Sequence, residues 1–397
     1  MHAKTIIQKF LENACKAMHA KRRKAIAEMG QASSKGGLSL MGISRYLEPS
    51  TRIRHRIKRC DRLLSNPKLQ DDKIWIYRSM TQLVLRTTEQ PTILIDWSDL
   101  SPDRRVQLLR ASVAVKGRAV TLYEEIHPVA DYAKPHVHRH FLHRLIGFLP
   151  EGCRPILITD AGFRSPWFQL LDSLGLAYVG RIRNRDRVRA VPSGEEWQPC
   201  KTWYQGAHAT PEDLGLFEYV RSNPVLCRLV RIKSRALGRH RKGVLGQVAK
   251  SRQSLKKATA QREPWLLAVS LSLSAMSAAK VVALYRTRMQ IEEAFRDLKS
   301  TQFGLGLSES RTRDMRRYAA LLLIGALVLY AYFIIGIAVK KHGYTIEYGS
   351  RKKAAQTLSL ISLARWWLRE EPHQHLSEDQ LNEAIITLRS WISSSYF

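Results

Sequence analysis

The sequence of 397 residues has few acidic side chains, and its five cysteines are not closely spaced in pairs. Only 34 Asp and Glu oppose 65 Lys and Arg, which gives a formal net charge of +31 at pH 7. The cysteines are scattered without a C-x-x-C pair, an arrangement that argues against a disulfide framework and a zinc site and predicts a reducing cytoplasm. They are Cys15, Cys60, Cys153, Cys200 and Cys227. No long apolar segment with a cleavage site begins the chain, so a secretory signal is not expected.

The basic excess is spread over the whole chain, which favours nucleic acid as the partner. An anionic membrane surface is the competing interpretation. One uncharged run of 21 residues, 319–339, has the length of a membrane span. Because no second run of this kind exists, we prefer a helix buried on all sides in a large core, and we expect no membrane partner.

Two apolar runs end in an aspartate. Residues 93–95 precede Asp96, and residues 156–159 precede Asp160. Such runs, rich in β-branched residues and bounded by Pro and Gly, predict strands that are buried on both faces. A carboxylate that follows such a strand is expected at the rim of the sheet, since deeper burial would cost free energy.

Residues 285–299 predict an amphipathic helix. On a helical wheel four residues share a polar stripe about 60° wide: Tyr285, Arg288, Glu292 and Lys299. Apolar residues lie beside the stripe and are expected to face a core: Leu284, Ile291, Phe295 and Leu298. The stripe rises roughly 21 Å, which suits an extended polyanion. An ordinary solvated helix face is the alternative.

Glu292 and the two strand-end aspartates form a set of three carboxylates without zinc-type ligands, which suits Mg²⁺ or Mn²⁺. This D-D-E set, with Y-x2-R-x3-E-x6-K around Glu292, resembles the signature of bacterial insertion-sequence DDE transposases of the IS-four family. LIDWSD, ITDAGF and RMQIEEAFRDLKS are most similar to the transposase of the tetracycline-resistance (Tn-ten type) transposon. The resemblance runs from about residue 45 to beyond residue 310.

The order of the predicted elements over residues 91–183 is β-β-β-α-β-α-β. The strands are expected at 92–97, about 105–115, 118–125, 154–159 and 177–183. The helices are expected at about 136–148 and 165–174, with a further helix at 278–299. The resemblance implies an α/β fold with a ribonuclease-H-like (retroviral-integrase-type) catalytic core, a β-rich insertion and helical flanking regions.

Five segments are predicted, two of which are parts of one catalytic core. They are a helical N-terminal DNA-binding domain (1–75), the first part of the core (76–185), a β-rich insertion with a basic loop (186–264), the second part of the core with the Y-R-E-K helix (265–310) and a helical C-terminal dimerisation or DNA-contact region (311–397).

Short helices in the N-terminal region predict a helix-turn-helix-like DNA reader, with a loop at 33–37. The candidate DNA-binding residues are Arg52, Arg54, Arg56, Lys58 and Arg59. A solvated basic helix is the alternative. The basic stretch 231–262 contains no acid and is expected to be a mobile loop that orders on DNA, with a functionless loop as the alternative.

The family resemblance also implies roles for individual residues. Asp96 would bridge two Mg²⁺ ions, with Mn²⁺ as a substitute, and Asp160 and Glu292 would each hold one. Tyr285, Arg288 and Lys299 would hold DNA phosphates. Trp265 would stack on a flipped base, unless it is a core tryptophan, and Met289 would act as an aliphatic wedge.

The predicted function is cut-and-paste transposition of an insertion sequence, through binding of terminal inverted repeats, strand cleavage, hairpin formation and resolution, and strand transfer. A homodimer on double-stranded DNA in the bacterial cytoplasm is expected. One alternative is a ribonuclease-H-like nuclease or resolvase without strand transfer. The other is an inactive DNA-binding protein derived from a transposase. A histidine metal site at His136, His140 and His143 is disfavoured, because no cysteine or carboxylate completes it nearby.

Overall fold

A computed structural model describes residues 3–48, 50–101, 103–183, 186–192, 196–233, 247–248, 251–252, 254–255, 263–348, 358–369 and 375–393. The chain divides into two compact units. The first unit comprises Met1–Cys153 and Met289–Ser395, and the second is Arg154–Arg288. Both contain helices and strands, so the fold class is mixed α/β, as predicted.

The helices of the described chain, in chain order, are α1 Ala3–Ala14, α2 Ala20–Gly36, α3 Leu40–Tyr46, α4 Ile53–Leu64, α5 Pro67–Leu85, α6 Pro135–Phe148, α7 Ser165–Ser173, α8 Ala278–Arg286, α9 Met289–Lys299, α10 Met315–Lys341, α11 Leu360–Arg369 and α12 Glu378–Ser393. The strands are β1 Thr92–Asp99, β2 Val106–Val115, β3 Arg118–Pro128, β4 Ile156–Thr159, β5 Ala177–Ile182, β6 Arg187–Val191, β7 Gln198–Pro199, β8 Glu212–Tyr219, β9 Val225–Ile232 and β10 Trp265–Val269.

The first unit contains the antiparallel strands β1, β2 and β3 in the order β3-β2-β1. Gly117 joins β2 to β3 with φ of 76°, a left-handed turn conformation that glycine adopts without steric cost. The predicted strands are confirmed, but β1 extends to Asp99 and β3 extends to Pro128. Asp96 therefore lies inside β1 rather than at its end, although full burial stops at Ile95 as expected.

Five helices, α1–α5, precede this sheet. The loop predicted at 33–37 is wrong for its first four residues, because α2 continues to Gly36. Ser33 is buried and its hydroxyl donates to the carbonyl of Gly30, so the helix keeps these small residues on its packed side. Helix α5 runs across residue 75, and the domain boundaries proposed from sequence remain predictions.

Helix α10 is enclosed by protein in the first unit. Residues 320–339 are all buried, and the helix packs against α2, α11, α12 and β3. It is the one helix of the described chain that is long and apolar enough to cross a membrane, and its apolar window is entirely buried. The prediction of a helix buried on all sides is confirmed.

The second unit contains seven strands in the order β4-β5-β10-β9-β8-β6-β7. Strands β4 and β5 are parallel, whereas the other described pairs are antiparallel. Strands β6–β9 follow the second aspartate, where the sequence predicted β-rich structure, and their status as an insertion into a catalytic core remains a prediction. The predicted mobile loop at 231–262 lies mostly outside the described residues.

The helix predicted at 278–299 is interrupted. Helix α8 ends at Arg286 and α9 begins at Met289. The amides of Thr287 and Arg288 donate to carbonyls three residues back, and the Thr287 hydroxyl also donates to the Leu284 carbonyl at 2.6 Å. These tightened bonds end the helical turn. The single polar stripe is therefore wrong, because Tyr285 belongs to the second unit and Glu292 to the first.

Candidate catalytic and DNA-binding sites

Asp96 is held at the fifth position of β1. Its Oδ1 accepts a hydrogen bond from the Trp97 amide at 2.8 Å, and the carboxylate is half-buried. Across the sheet Asp96 pairs with Arg110 of β2, so the two side chains leave the same face. Asp96 is therefore a backbone-anchored carboxylate at the limit of the core.

Lys299, the last residue of α9, reaches β1. Its Nζ donates to the Ser98 hydroxyl at 2.6 Å and to the Asp99 carbonyl. Burial, assisted by Arg110 and opposed by Asp99 and Asp96, lowers the pKa of Lys299 to about 8. The sequence placed Lys299 on the polar stripe, and the structure adds that its amine lies in the electrostatic field of Asp96.

A buried charge network lies beneath these residues. Arg110 is fully buried and pairs with Glu124 of β3 at 2.6 Å, while the Tyr77 hydroxyl donates to Glu124 at 2.7 Å. The Phe295 ring contacts two cations: its centroid lies 5.0 Å from Arg110 Cζ and 5.4 Å from Lys299 Nζ. Removing one partner of such a buried pair strongly destabilises a protein, because the other charge stays buried without compensation. Arg110 and Glu124 therefore hold the sheet in place under Asp96.

Helix α9 is fastened to the β2–β3 hairpin on one side and exposes Glu292 on the other. The Val115 amide donates to Gln290 at 3.0 Å, and Arg118 pairs with Asp297 at 3.0 Å and with Glu293 at 3.5 Å. Burial raises the pKa of Asp297 to about 6 although Arg118 opposes it. Glu292 lies exposed in the first helical turn, where the helix dipole favours a negative charge.

The prediction for the apolar side of this stretch is confirmed. Its four core residues are at most 6% exposed: Leu284, Ile291, Phe295 and Leu298. Met289 is exposed at the start of α9, as a wedge residue would need to be.

Asp160 in the second unit follows β4 directly, as predicted. Its Oδ1 accepts from the Gly162 amide at 2.8 Å, which is a local turn of the type that aspartate favours. A side-chain carbon on Gly162 would lie 2.9 Å from the same oxygen, closer than such contacts normally allow. Any larger residue at Gly162 would therefore push the Asp160 carboxylate out of its present position.

Trp265 and Tyr285 lie together in the second unit. Their rings meet edge to face with centroids 5.0 Å apart, and Tyr285 is only 3% exposed. The exposed tyrosine predicted from the helical wheel is therefore wrong, because the tyrosine packs on the half-buried tryptophan. Nearby Arg181 is mostly buried, which lowers its pKa, while Tyr285 acts against this shift. The DNA contacts of Trp265 and Tyr285 remain predictions.

The N-terminal basic residues divide into two groups. Arg56 donates to the carbonyls of Arg45 and Leu47 at 2.8 and 2.9 Å, and Arg59 pairs with Glu28. These two arginines hold α4 against its neighbours. The other three candidates are exposed: Arg52, Arg54 and Lys58.

The exposed side of α4 borders a groove of about 480 Å³ between α2 and α4. Its lining includes the basic residues Lys21, His55, Lys58 and Arg62. The sequence analysis did not identify Lys21 as part of this surface, whereas Arg62 belongs to the same basic helix, where basic residues recur at positions 54, 58 and 62.

Two further features of the first unit were missed. The Arg110–Glu124 pair lies on β2 and β3, and no periodicity of the sequence reveals it. Trp97 donates from Nε1 to Nε2 of His138 at 3.0 Å, and burial lowers the pKa of His138 to about 4. The other histidines of α6, at 136, 140 and 143, are exposed. Among the described residues no group of three or more His, Cys, Asp or Glu is arranged as a metal site.

Comparison with known proteins identifies the family. Residues 87–329 match the model of the transposase DDE domain, and this segment covers more than half of the chain. A search of curated proteins finds no match. The matched segment contains Asp96, Asp160 and Glu292. The chain therefore belongs to the DDE transposase family, whose members carry out DNA transposition.

Proposed function

We propose that this protein is a cut-and-paste transposase of the IS-four family, related to the Tn-ten type, with a ribonuclease-H-like core. The observation that carries this proposal is the anchoring of α9 to β1 by Lys299. It links the helix that bears Glu292 to the strand that bears Asp96, and a cation in the field of Asp96 suits a DNA phosphate.

The residues fit divalent ions by the chemistry of their donors. Asp96 and Asp160 each have one carboxylate oxygen held by a backbone amide, and Glu292 is exposed. Carboxylate oxygens are the donors that Mg²⁺ and Mn²⁺ prefer. Asp96 would hold two ions, with Asp160 and Glu292 each holding one. When bound, the ions would activate the attacking water or 3′-hydroxyl and stabilise the leaving oxygen.

The remaining roles belong to the chain itself. Lys299 would hold a phosphate beside the scissile one, and Arg288 and Tyr285 would contact further phosphates. Trp265 would stack on an extruded base and Met289 would help to displace it. Extrusion costs a few kcal/mol, which stacking offsets.

The proposal includes the wider reaction. The exposed basic side of α4, with Arg52, Arg54 and Lys58, would bind the terminal inverted repeats. Two copies would pair two element ends, so a homodimer on DNA in the bacterial cytoplasm is proposed, without a membrane partner. Hairpin formation and resolution would precede strand transfer.

Glu292→Gln tests the catalytic assignment. The variant should bind element-end DNA as the wild type does, yet lose cleavage in Mg²⁺ by at least about a thousandfold, since one metal ligand is neutralised. Gel shifts and nicking assays measure the two properties. Glu293→Gln is the matched control, because this neighbour pairs with Arg118. Cleavage retained by Glu292→Gln would overturn the metal assignment, and strand transfer of a cut end separates a transposase from a resolvase.

Trp265→Ala tests the stacking role. The first nick should proceed at the wild-type rate, whereas hairpin yield should fall about tenfold because stacking is lost. Trp265→Phe keeps an aromatic ring against Tyr285 and should recover most of the hairpin product. If hairpin yield does not change in Trp265→Ala, the tryptophan serves only the core.

A further inference from the structure

The first unit contains a cavity that the proposed reaction leaves unused. It has a volume of about 430 Å³ and lies at the end of β1. This volume falls within the range of pockets that bind small molecules and cofactors, roughly 300–1,000 Å³. Its lining includes Trp97, Ser98, Asp99, Arg104, Gln107 and Tyr132.

Two aromatic rings form one wall of the cavity. The centroids of Trp97 and Tyr132 lie 5.2 Å apart, and Tyr132 is 47% exposed. The indole of Trp97 is held by its hydrogen bond to His138 and by an edge-to-face contact with the His127 ring, whose centroid lies 5.6 Å from that of Trp97. A rigid ring beside an accessible one presents a stacking surface for a flat aromatic ligand.

The opposite rim is polar and tightly organised. Asp99 lies 3.5 Å from Arg104, and the Gln107 amide donates to the Asp99 carboxylate and the Arg104 carbonyl, both at 2.9 Å. The Arg104 side chain is 71% exposed and can reach an incoming anion. A carboxylate and a guanidinium beside aromatic rings match the polar edges and phosphate of a nucleotide.

Both loops at the cavity have unusual backbone conformations. Arg104 has φ of 58°, and Ala133, next to Tyr132, has φ of 57°. Non-glycine residues rarely adopt this left-handed region, and such strain gathers at ligand-binding sites. The hydrogen bonds around Gln107 hold the first of these loops in place.

The cavity is continuous with the proposed phosphate contact. Ser98 and Asp99 line it, and the same two residues accept hydrogen bonds from Lys299. Successive side chains of a strand point to opposite faces, so Trp97 and Asp99 share one face of β1 while Asp96 and Ser98 share the other. The cavity and the Lys299 contact therefore meet at the end of β1, where a DNA strand held at Lys299 would have to pass over the strand end to bring a neighbouring base to the aromatic wall.

We propose that this cavity binds one unpaired base of the DNA strand whose phosphate Lys299 holds. The base stacks on Trp97 and Tyr132, and Arg104 contacts the adjoining phosphate. This site is separate from Trp265, which lies in the other unit. The inference rests on the proposed function, because it requires DNA at Lys299.

Binding of short single strands tests the assignment without knowledge of the element ends. Full-length protein in EDTA is titrated with fluorescein-labelled thymidine octamer and with an abasic octamer of equal charge. The wild type should prefer the octamer that carries bases, and Tyr132→Ala should reduce this preference about five- to tenfold. Tyr132→Phe should retain it, and Trp75→Ala, which removes an exposed tryptophan outside the cavity, is the control.

Photo-crosslinking locates the base. An octamer with 5-iodouracil should crosslink to Trp97 or Tyr132, as identified by mass spectrometry of the peptides. Crosslinks found only elsewhere, such as at Trp265, or an unchanged preference in Tyr132→Ala, would overturn the proposal. Displacement of the octamer by equimolar thymidine monophosphate would indicate a free-nucleotide site and would also overturn it.

These outcomes are independent of the catalytic assignment. Cleavage by Glu292→Gln would refute the proposed metal site, whereas the base preference is measured without metal. A wild type that cleaves DNA but shows no base preference would refute the cavity assignment alone.

Discussion

The two aspartates of the proposed triad are held in place by different means. Asp96 sits inside an eight-residue strand whose surroundings come from distant parts of the chain, including Arg110 and Lys299. Asp160 follows a four-residue strand and is wrapped by its own turn through Gly162. The position of one carboxylate thus depends on tertiary packing, and that of the other on two neighbouring residues.

Within this comparison the largest effect should come from the local turn. In Gly162→Ala the added methyl would lie 2.9 Å from Asp160 Oδ1, so the carboxylate must move. A misplacement of about 1 Å at a catalytic group costs about a hundredfold in rate, which sets the upper limit of the effect. We expect DNA cleavage to fall by up to about that factor while the urea midpoint changes little.

Gly147→Ala is the matched control for this substitution. Nothing lies within 4 Å of a side-chain carbon at Gly147, and alanine favours a helix interior. Equal cleavage by Gly162→Ala and Gly147→Ala would show that the turn does not set the position of Asp160.

The packing of His138 against Trp97, next to Asp96, should make the free energy of unfolding depend on pH. Burial lowers the pKa of His138 to about 4, below the ordinary value of 6.5. The unfolded chain therefore binds a proton before the folded one, and stability falls as the pH drops from 6.5 towards 4. Between pH 7 and pH 5 the loss is about 2 kcal/mol, measurable by urea denaturation.

His138→Gln removes this titration and keeps an acceptor for Trp97. Its free energy of unfolding should therefore lack the loss of about 2 kcal/mol between pH 7 and pH 5. The exposed His140 provides the comparison, since His140→Gln should keep the wild-type slope. If both variants behave like the wild type, the buried histidine does not titrate as the structure indicates.

A smaller effect concerns Lys299. Burial lowers its pKa from 10.5 to about 8, so its charge is lost as the pH rises through 8. DNA affinity should fall about tenfold between pH 7 and pH 9, because only about a tenth of the amine stays charged at the upper value. Fluorescence anisotropy with Glu292→Gln protein measures this without cleavage.

Lys299→Arg should bind DNA with little change over the same range, since an arginine stays charged. Lys299→Gln should bind more weakly at pH 7 and show the same flat profile. If the DNA affinity of either variant still falls between pH 7 and pH 9, a group other than Lys299 causes the pH dependence.

The same contrast explains what the sequence could predict. The run before Asp160 is local, so the strand and the aspartate at its end were predicted, although β4 begins at Ile156 rather than at residue 154. The turn through Gly162 was not predicted. Asp96 was placed at a strand end because apolar burial stops there, but pairing with β2 carries the strand on to Asp99. Strand length depends on the partner strand, which a local pattern does not contain.

The helix around Glu292 shows a second limit. Its periodicity continued through Thr287, whose side chain does not look like a breaker. The Thr287 hydroxyl nevertheless bonds to the Leu284 carbonyl, a competition that the sequence permits without requiring. Periodicity identified the buried residues, but it did not separate the two helices.

Helix α10 has a consequence for synthesis of the protein. Two of its coverings, α11 and α12, lie downstream in the chain, so they emerge from the ribosome after it. Until these two helices pack against α10, its apolar surface is exposed and can bind other polypeptides, including other nascent chains. A newly made molecule therefore stays prone to aggregation until α11 and α12 have been synthesised and cover α10.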